Sequence, residues 1–209
     1  MATKRKSSKK LEPAVRYLRY DLVNAGSANT ETSRYVDLAK DLSMVNRRLY
    51  RQGRVYHVKK ISIVSANTPN MPDAAQAGRI SVSVIPNSWV SQQAWKRGFQ
   101  TWQKMNSEAM HANLPSVQGT WADFKVYMST GMKTGVNVAP IDNGGNLYSA
   151  GEWTYSRFVS PDGTTSADEF GIWMLGAHNG SAGAWNDVAL IKSYAESRAT
   201  VQDLSLIHI

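Results

Sequence analysis

The side chains whose types and spacing suggest a chemistry lie in residues 44–64, MVNRRLYRQGRVYHVKKISIV. This segment carries six basic residues with no acidic residue between them, namely Arg47, Arg48, Arg51, Arg54, Lys59 and Lys60. Tyr50 and Tyr56 lie among them. Because cationic side chains neutralise phosphates and aromatic rings stack on unpaired bases, the pattern predicts a polyanion-binding surface. The two tyrosines fit such a surface and a core or inter-subunit contact equally well.

A second basic cluster lies at the N-terminus, and its members are Lys4, Arg5, Lys6, Lys9 and Lys10. The segment around it has little apolar surface to bury, so we predict that residues 1–13 form a disordered basic arm. Such an arm fits a nucleic-acid contact that doubles as a nuclear localisation signal, or a solubilising tail. The formal net charge is +8, less than the two basic segments carry together, so the rest of the chain is net acidic. This confinement of positive charge favours a polyanionic partner.

Few residues are spaced for catalysis. His57, His111 and His178 match no metal-ligand spacing, and the chain has no cysteine. Acidic residues of the loop before Phe170 could hold a divalent metal or simply be solvated, namely Asp162, Asp168 and Glu169. We therefore predict no catalytic residue, no metal site and no cofactor, hence a protein that is not an enzyme. No signal peptide or membrane-spanning run is recognisable, so we expect no membrane partner.

The sequence predicts that the elements which position the basic segments are mainly strands. Period-two alternation predicts strands over residues 15–22, 59–65, 79–86, 124–128 and 153–159, and a continuous apolar run predicts one over 170–175. A stripe of Trp95, Phe99, Trp102 and Met105 predicts a helix over 91–110, with its tryptophans in the core. A second helix is predicted over 187–198 with Asn186 as N-cap, whereas residues 34–48 fit a helix or an extended connection. This order favours an all-β antiparallel sandwich with helical insertions in the loops.

The last six residues, LSLIHI, have no turn chemistry and match the translation of a transposon-based sequencing adapter. We therefore expect natural sequence to stop at about Asp203, and we give His208 no role. The predicted organisation is a basic arm over residues 1–13, one domain over 14–203 and an adapter-derived tail over 204–209. The natural domain would continue past this point.

Four stretches together resemble capsid proteins of circular, Rep-encoding single-stranded DNA viruses. They are NRRLYRQGRVYHV, GRISVSVIPNSWVSQQAWKRGFQTWQKMN, GEWTYSRFVSP and NDVALIKSYAESR. The resemblance runs from about Tyr35 to Arg198 and implies a single jelly roll that assembles into a small icosahedral shell. Its C-terminal strands would be missing from this chain. The N-terminal arm would project inward onto a packaged circular single-stranded DNA genome.

The resemblance implies nucleic-acid contacts at Lys4, Arg5, Lys6, Lys9 and Lys10 in the arm, and at Arg47, Arg48, Arg51 and Arg54 in the lead-in to the next structural block. The implied partners are further copies of the chain and the DNA genome, in the virion, with host nuclear import during assembly. Arg47–Arg54 could instead contact carboxylates of a neighbouring subunit. The alternative function is a monomeric module that binds nucleic acid without sequence preference.

Overall fold

A long amphipathic helix and a small mixed sheet share one hydrophobic core. The computed structural model describes residues 14–23, 31–50, 55–64, 79–112, 118–135, 137–149, 151, 153–159, 169–181 and 184–199. The helices are α1 (Leu38–Asn46), α2 (Trp89–His111), α3 (Thr130–Lys133) and α4 (Leu190–Ala199). The strands are β1 (Arg157–Val159), β2 (Glu169–Trp173), β3 (Asn179–Ser181) and β4 (Ala184–Ala189). The predicted arm and the six-residue tail lie outside the described residues.

The four strands form one sheet in the order β1-β2-β4-β3. β1 runs antiparallel to β2, with Phe158 opposite Phe170, and β3 runs antiparallel to β4. β2 and β4 are parallel, with Ile172 opposite Val188. The segment after Phe124 extends the sheet irregularly, through an isolated parallel bridge between Tyr127 and Trp173. Tyr127 N donates to Ile172 O at 3.2 Å, and Tyr127 O accepts from Met174 N at 3.0 Å. The sheet is therefore small and mixed.

The core lies between α2, α4 and β2. Phe124 and Ile172 are fully buried in it, and Ala94, Met174, Leu190 and Tyr194 complete the buried cluster. The predicted stripe of α2 packs against this cluster through Trp95, Phe99 and Trp102, which confirms that these tryptophans belong to the core. α2 meets α4 at Gly98, where an added Cβ would lie 2.9 Å from Leu190 Cδ1. Gly98 thus lets the end of the Leu190 side chain pack directly against the backbone of α2, and a side chain at this position would have to displace it.

The prediction of an all-β jelly-roll sandwich is wrong. The described residues contain four helices and a single sheet whose strands have three, five, three and six residues. The predicted strands over 59–65 and 79–86 are absent from the described parts of those ranges, which have no regular secondary structure. Alternation shows that a segment suits a half-buried sheet, but a strand also needs a ladder partner and a face to cover. Among the described residues, neither segment has a ladder partner or a sheet face to cover.

The apolar side chains of these two segments consequently face solvent. Ile61 and Ile63 are each 56 % exposed and Val64 is 91 % exposed, and Ile80, Val82 and Val84 are each exposed by at least 64 %. The segment 14–23, also predicted as a strand, has no regular secondary structure either. The second predicted helix is partly wrong: residues 184–189 form β4, and α4 begins only at Leu190. Asn186 is therefore a strand residue and not an N-cap.

Candidate nucleic-acid interface

The candidate site is built around α1, whose two ends are both defined by local chemistry. The carboxylate of Asp37 caps the start by accepting hydrogen bonds from Ala39 N and Lys40 N, each at 3.1 Å. Arg47 ends the helix in the left-handed conformation, with φ 51°. Arg47 and Arg48 thus leave the C-terminal end of α1 with exposed side chains, where the helix dipole favours positive charge.

The N-terminal segment 14–23 is fixed at Val15 to the same end of α1. Val15 N donates to Asn46 Oδ1 at 2.7 Å, and Asn46 Nδ2 donates back to Val15 O at 3.0 Å. Asn46 is the residue directly before Arg47. Arg16 directly follows Val15. The hydrogen-bond pair therefore brings Arg16 close to Arg47 at the end of α1.

Of the predicted site residues, the structure describes Arg47 and Arg48. Both are exposed and lie at the end of α1 to which Val15 is fixed. The others lie outside the described residues, namely Lys4, Arg5, Lys6, Lys9, Lys10, Arg51 and Arg54. Whether Arg47 and Arg48 contact DNA or a neighbouring subunit stays a prediction.

Sequence reasoning missed two basic residues of this site. Arg16 and Arg19 belong to segment 14–23, are exposed, and follow the anchored backbone of Val15 by one and four residues. The signal was their membership of the basic first twenty residues, which was obscured by assigning this segment to a strand. Arg16 and Arg19 extend the basic surface from the end of α1 along the N-terminal segment.

The two tyrosines of the basic run differ in their surroundings. Tyr50 is buried, with 8 % of its surface exposed, and its backbone N donates to Ser43 Oγ at 2.9 Å. The Tyr56 hydroxyl donates to the backbone O of Tyr50. Tyr50 is thus a packing residue that fixes the chain after α1, and a base-stacking role for it is excluded in this conformation.

A buried polar network holds α1 in place beneath the basic surface. The Tyr20 hydroxyl donates to Asp41 Oδ2 at 2.6 Å, and Lys40 Nζ lies 3.7 Å from Asp41 Oδ1. Burial raises the pKa of Asp41 to about 6, against the opposing effects of the Tyr20 hydrogen bond and the Lys40 charge. Burial, together with the bond to Asp41, also raises the pKa of Tyr20. The network therefore ties segment 14–23 to α1.

The opposite side of α1 is tied to the loop after α3. Lys40 Nζ donates to Asn137 Oδ1 at 2.9 Å, and Asn137 Nδ2 donates to the Tyr155 hydroxyl at 3.0 Å. That hydroxyl donates in turn to Asp37 Oδ2 at 2.8 Å. Burial is the main cause that raises the pKa of Tyr155. These bonds make α1 a rigid support for the arginines at its end.

The described ranges give little support for a metal site or for a membrane-spanning helix. No group of three or more histidine, aspartate or glutamate side chains is found there that could hold a metal ion. His178 is engaged on both sides, since Nδ1 accepts from Ala189 N at 3.1 Å and Nε2 lies 3.0 Å from Glu196 Oε2. Asp162 and Asp168 lie outside the described residues. Within the same ranges, every helix is too short or too polar to span a bilayer.

Comparison of the chain with protein-family models, curated proteins and solved structures finds no match.

Proposed function

We propose that this chain is a viral coat protein that packages circular single-stranded DNA in a small icosahedral shell, binding the DNA without sequence preference and associating with copies of itself. The observation that carries the proposal is the Val15–Asn46 hydrogen-bond pair, which brings the exposed Arg16 to the end of α1 where the exposed Arg47 and Arg48 lie. The virus class rests on the resemblance of the four sequence stretches, and the proposal does not require a jelly roll.

The charge distribution suits packaging. Arg16, Arg19, Arg47 and Arg48 are exposed around one helix end, and five further cations precede them in the arm. Lysine and arginine bind nucleic acid by releasing counterions from its phosphates, which needs no base readout. The remainder of the chain is net acidic, so DNA would be attracted to this one surface in preference to the others.

Self-association is supported by the exposed apolar segments. Eight aliphatic residues of 55–64 and 79–84 are more than half exposed, namely Val55, Val58, Ile61, Ile63, Val64, Ile80, Val82 and Val84. Burial of apolar surface stabilises an association by about 25 cal/mol per Å². These exposed side chains therefore favour contact with another apolar surface over contact with water.

The test measures assembly and DNA protection in the same sample. The purified chain is mixed with a circular single-stranded DNA, sedimented, imaged by negative-stain microscopy and treated with nuclease. We expect uniform particles much larger than one chain, with DNA that resists the nuclease. A monomer that binds DNA but leaves it open to digestion would contradict the coat protein and favour the monomeric binding module. A chain that binds no DNA would contradict both.

A further inference from the structure

A cavity of about 380 Å³ opens beside the basic surface, where segment 14–23, α1 and the hairpin over residues 140–148 meet. Its lining includes Tyr17, Arg19, Val45, Asp142, Asn143 and Tyr148. The volume falls within the range of about 300–1,000 Å³ that is usual for small-molecule sites. Val45 lies two residues before Arg47, so the cavity adjoins the end of α1 from which the arginines project.

Backbone hydrogen bonds fix the walls of this cavity. Ile141 N donates to Arg19 O at 2.9 Å, which joins the N-terminal segment to the hairpin. The hairpin is closed by bonds from Asp142 N to Asn146 O and from Tyr148 N to Pro140 O, at 2.9 and 3.0 Å. The third wall, α1, is tied to the first by the Val15–Asn46 pair. A ligand would therefore meet a preformed site.

The lining offers aromatic surface at the cavity mouth. Tyr17 is 69 % exposed, and a tyrosine on the surface with no apolar cover has its ring available to a ligand. Tyr148 is half-buried on the hairpin side, and Val45 contributes an apolar patch from α1. Flat, uncharged heterocycles stack on such rings, and this stacking tolerates any base.

The charges around the cavity favour different positions for the base and for the phosphates of a nucleotide. Asp142 contributes a carboxylate whose Oδ1 accepts from Gly144 N and Asn146 N, each at 2.8 Å. Arg19 also lines the cavity, so its charge and that of Asp142 offset each other and the interior suits an uncharged base better than a phosphate. Arg47 and Arg48 project from the adjoining helix end, where phosphates are attracted. An uncharged base inside with its phosphates outside satisfies both conditions.

We propose that this cavity takes one unpaired nucleobase of a bound single strand, stacked on Tyr17, while the flanking phosphates lie on Arg47 and Arg48. This inference rests on the proposed binding of single-stranded DNA and adds to it a contact with the bases. Binding is then selective for strands that can present an unstacked base. Duplex DNA, whose bases are paired and stacked, binds through the arginines alone.

The test compares two probes of equal length and charge, a thymidine oligomer and an abasic deoxyribose-phosphate oligomer. We expect Tyr17→Leu to weaken binding of the thymidine oligomer about 5- to 100-fold, as loss of one stacked base implies, and to leave the abasic oligomer unaffected. Tyr17→Phe keeps the aromatic ring and should bind the thymidine oligomer as the unaltered chain does. The control Trp89→Leu removes an aromatic residue that is 65 % exposed on α2, and should change neither affinity.

A second measurement needs no variant. An oligomer that carries 2-aminopurine is titrated with the unaltered chain, and stacking on a tyrosine should quench its fluorescence. The base-binding inference is wrong if Tyr17→Leu weakens both probes equally or neither, or if 2-aminopurine is not quenched while the oligomer binds. If the unaltered chain binds neither probe, the proposed function fails as well, so the two failures are distinguishable.

Discussion

Asp41 is a fully buried carboxylate whose environment disfavours its charge. It accepts one hydrogen bond from Tyr20, and its Oδ1 atom has no hydrogen-bond partner among the described residues. Burial raises its pKa from 3.8 to about 6. The folded chain therefore binds a proton more tightly than the unfolded chain does. It follows that the free energy of unfolding should fall as the pH rises from about 4 to about 6.

Replacing Asp41 by Asn tests this consequence. The amide keeps an oxygen that accepts the Tyr20 hydroxyl and removes the buried charge, so we expect a gain in stability at pH 7.5 of the order of 2–3 kcal/mol. At pH 4 the gain should vanish. Urea unfolding at the two pH values measures it, with Asp21→Asn on the exposed N-terminal segment as control. A variant that is destabilised at both pH values, with the pH slope retained, would show that the carboxylate is needed in its charged form.

Single residues also show where sequence reasoning reaches its limit. The basic run alone indicated that Arg47 and Arg48 face solvent, since arginine is rarely buried without a partner. The sequence could not show that Tyr50 is buried whereas Tyr17, outside the basic run, is exposed. Tyrosine suits both environments, and the choice is made by tertiary contacts such as the bond from Tyr50 N to Ser43 Oγ.

Among the elements, α2 could be predicted to within two residues at its start and one at its end. Its apolar residues recur at helical spacing, and a stripe of this kind can be buried only by a helix. β2 was predicted for a similar reason, because its apolar run has to be covered on both faces. The carboxylate of Asp187, by contrast, accepts from Gly171 N at 2.8 Å across the sheet. That long-range bond belongs to strand β4, and no local pattern reveals it.

Residues 79–86 were predicted as a strand, and within the described chain they have no regular secondary structure and no strand partner. The exposed aliphatic residues of this segment lie in 79–84. The order of apolar and serine residues there is symmetric about Val82, so antiparallel pairing with a second copy would place Ile80 opposite Val84 and serine opposite serine. Edges of this kind, apolar and without charge in their centre, are prone to pair with other chains. The segment is therefore the element on which proposed self-association most depends.

Val82→Asp should weaken self-association at least tenfold, because it places a charge at the centre of the pairing face. Val82 is 64 % exposed in the single chain, so folding should tolerate the change. Ser83→Asp, which introduces the same charge one residue away on the opposite face, is the matched control and should have a smaller effect. Sedimentation velocity over a range of concentrations measures both. Equal effects of the two variants would mean that the segment does not pair in this register.

At the scale of the whole molecule, one apolar segment lies apart from the basic run and the other lies within it. Segment 55–64 carries the exposed Lys59 and Lys60 among its exposed aliphatic residues, whereas the exposed aliphatic residues of 79–84 have Arg79 as their one cation. DNA binding at the end of α1 and self-association through 79–84 can therefore be altered separately by mutation. This separation is what a coat protein needs, because each copy must bind neighbours and genome at once.

The salt dependence of binding to a single-stranded oligomer tests the central claim, that the end of α1 is a DNA-binding surface. The logarithm of the affinity falls with the logarithm of the salt concentration by about 0.7 for each phosphate neutralised in single strands. Arg47→Gln combined with Arg48→Gln should therefore reduce this slope by about 1.4. Lys96→Gln combined with Lys104→Gln, two exposed cations of α2, is the matched control and should leave it unchanged. An unchanged slope in the arginine variant, or an equal reduction in the lysine variant, would contradict the account.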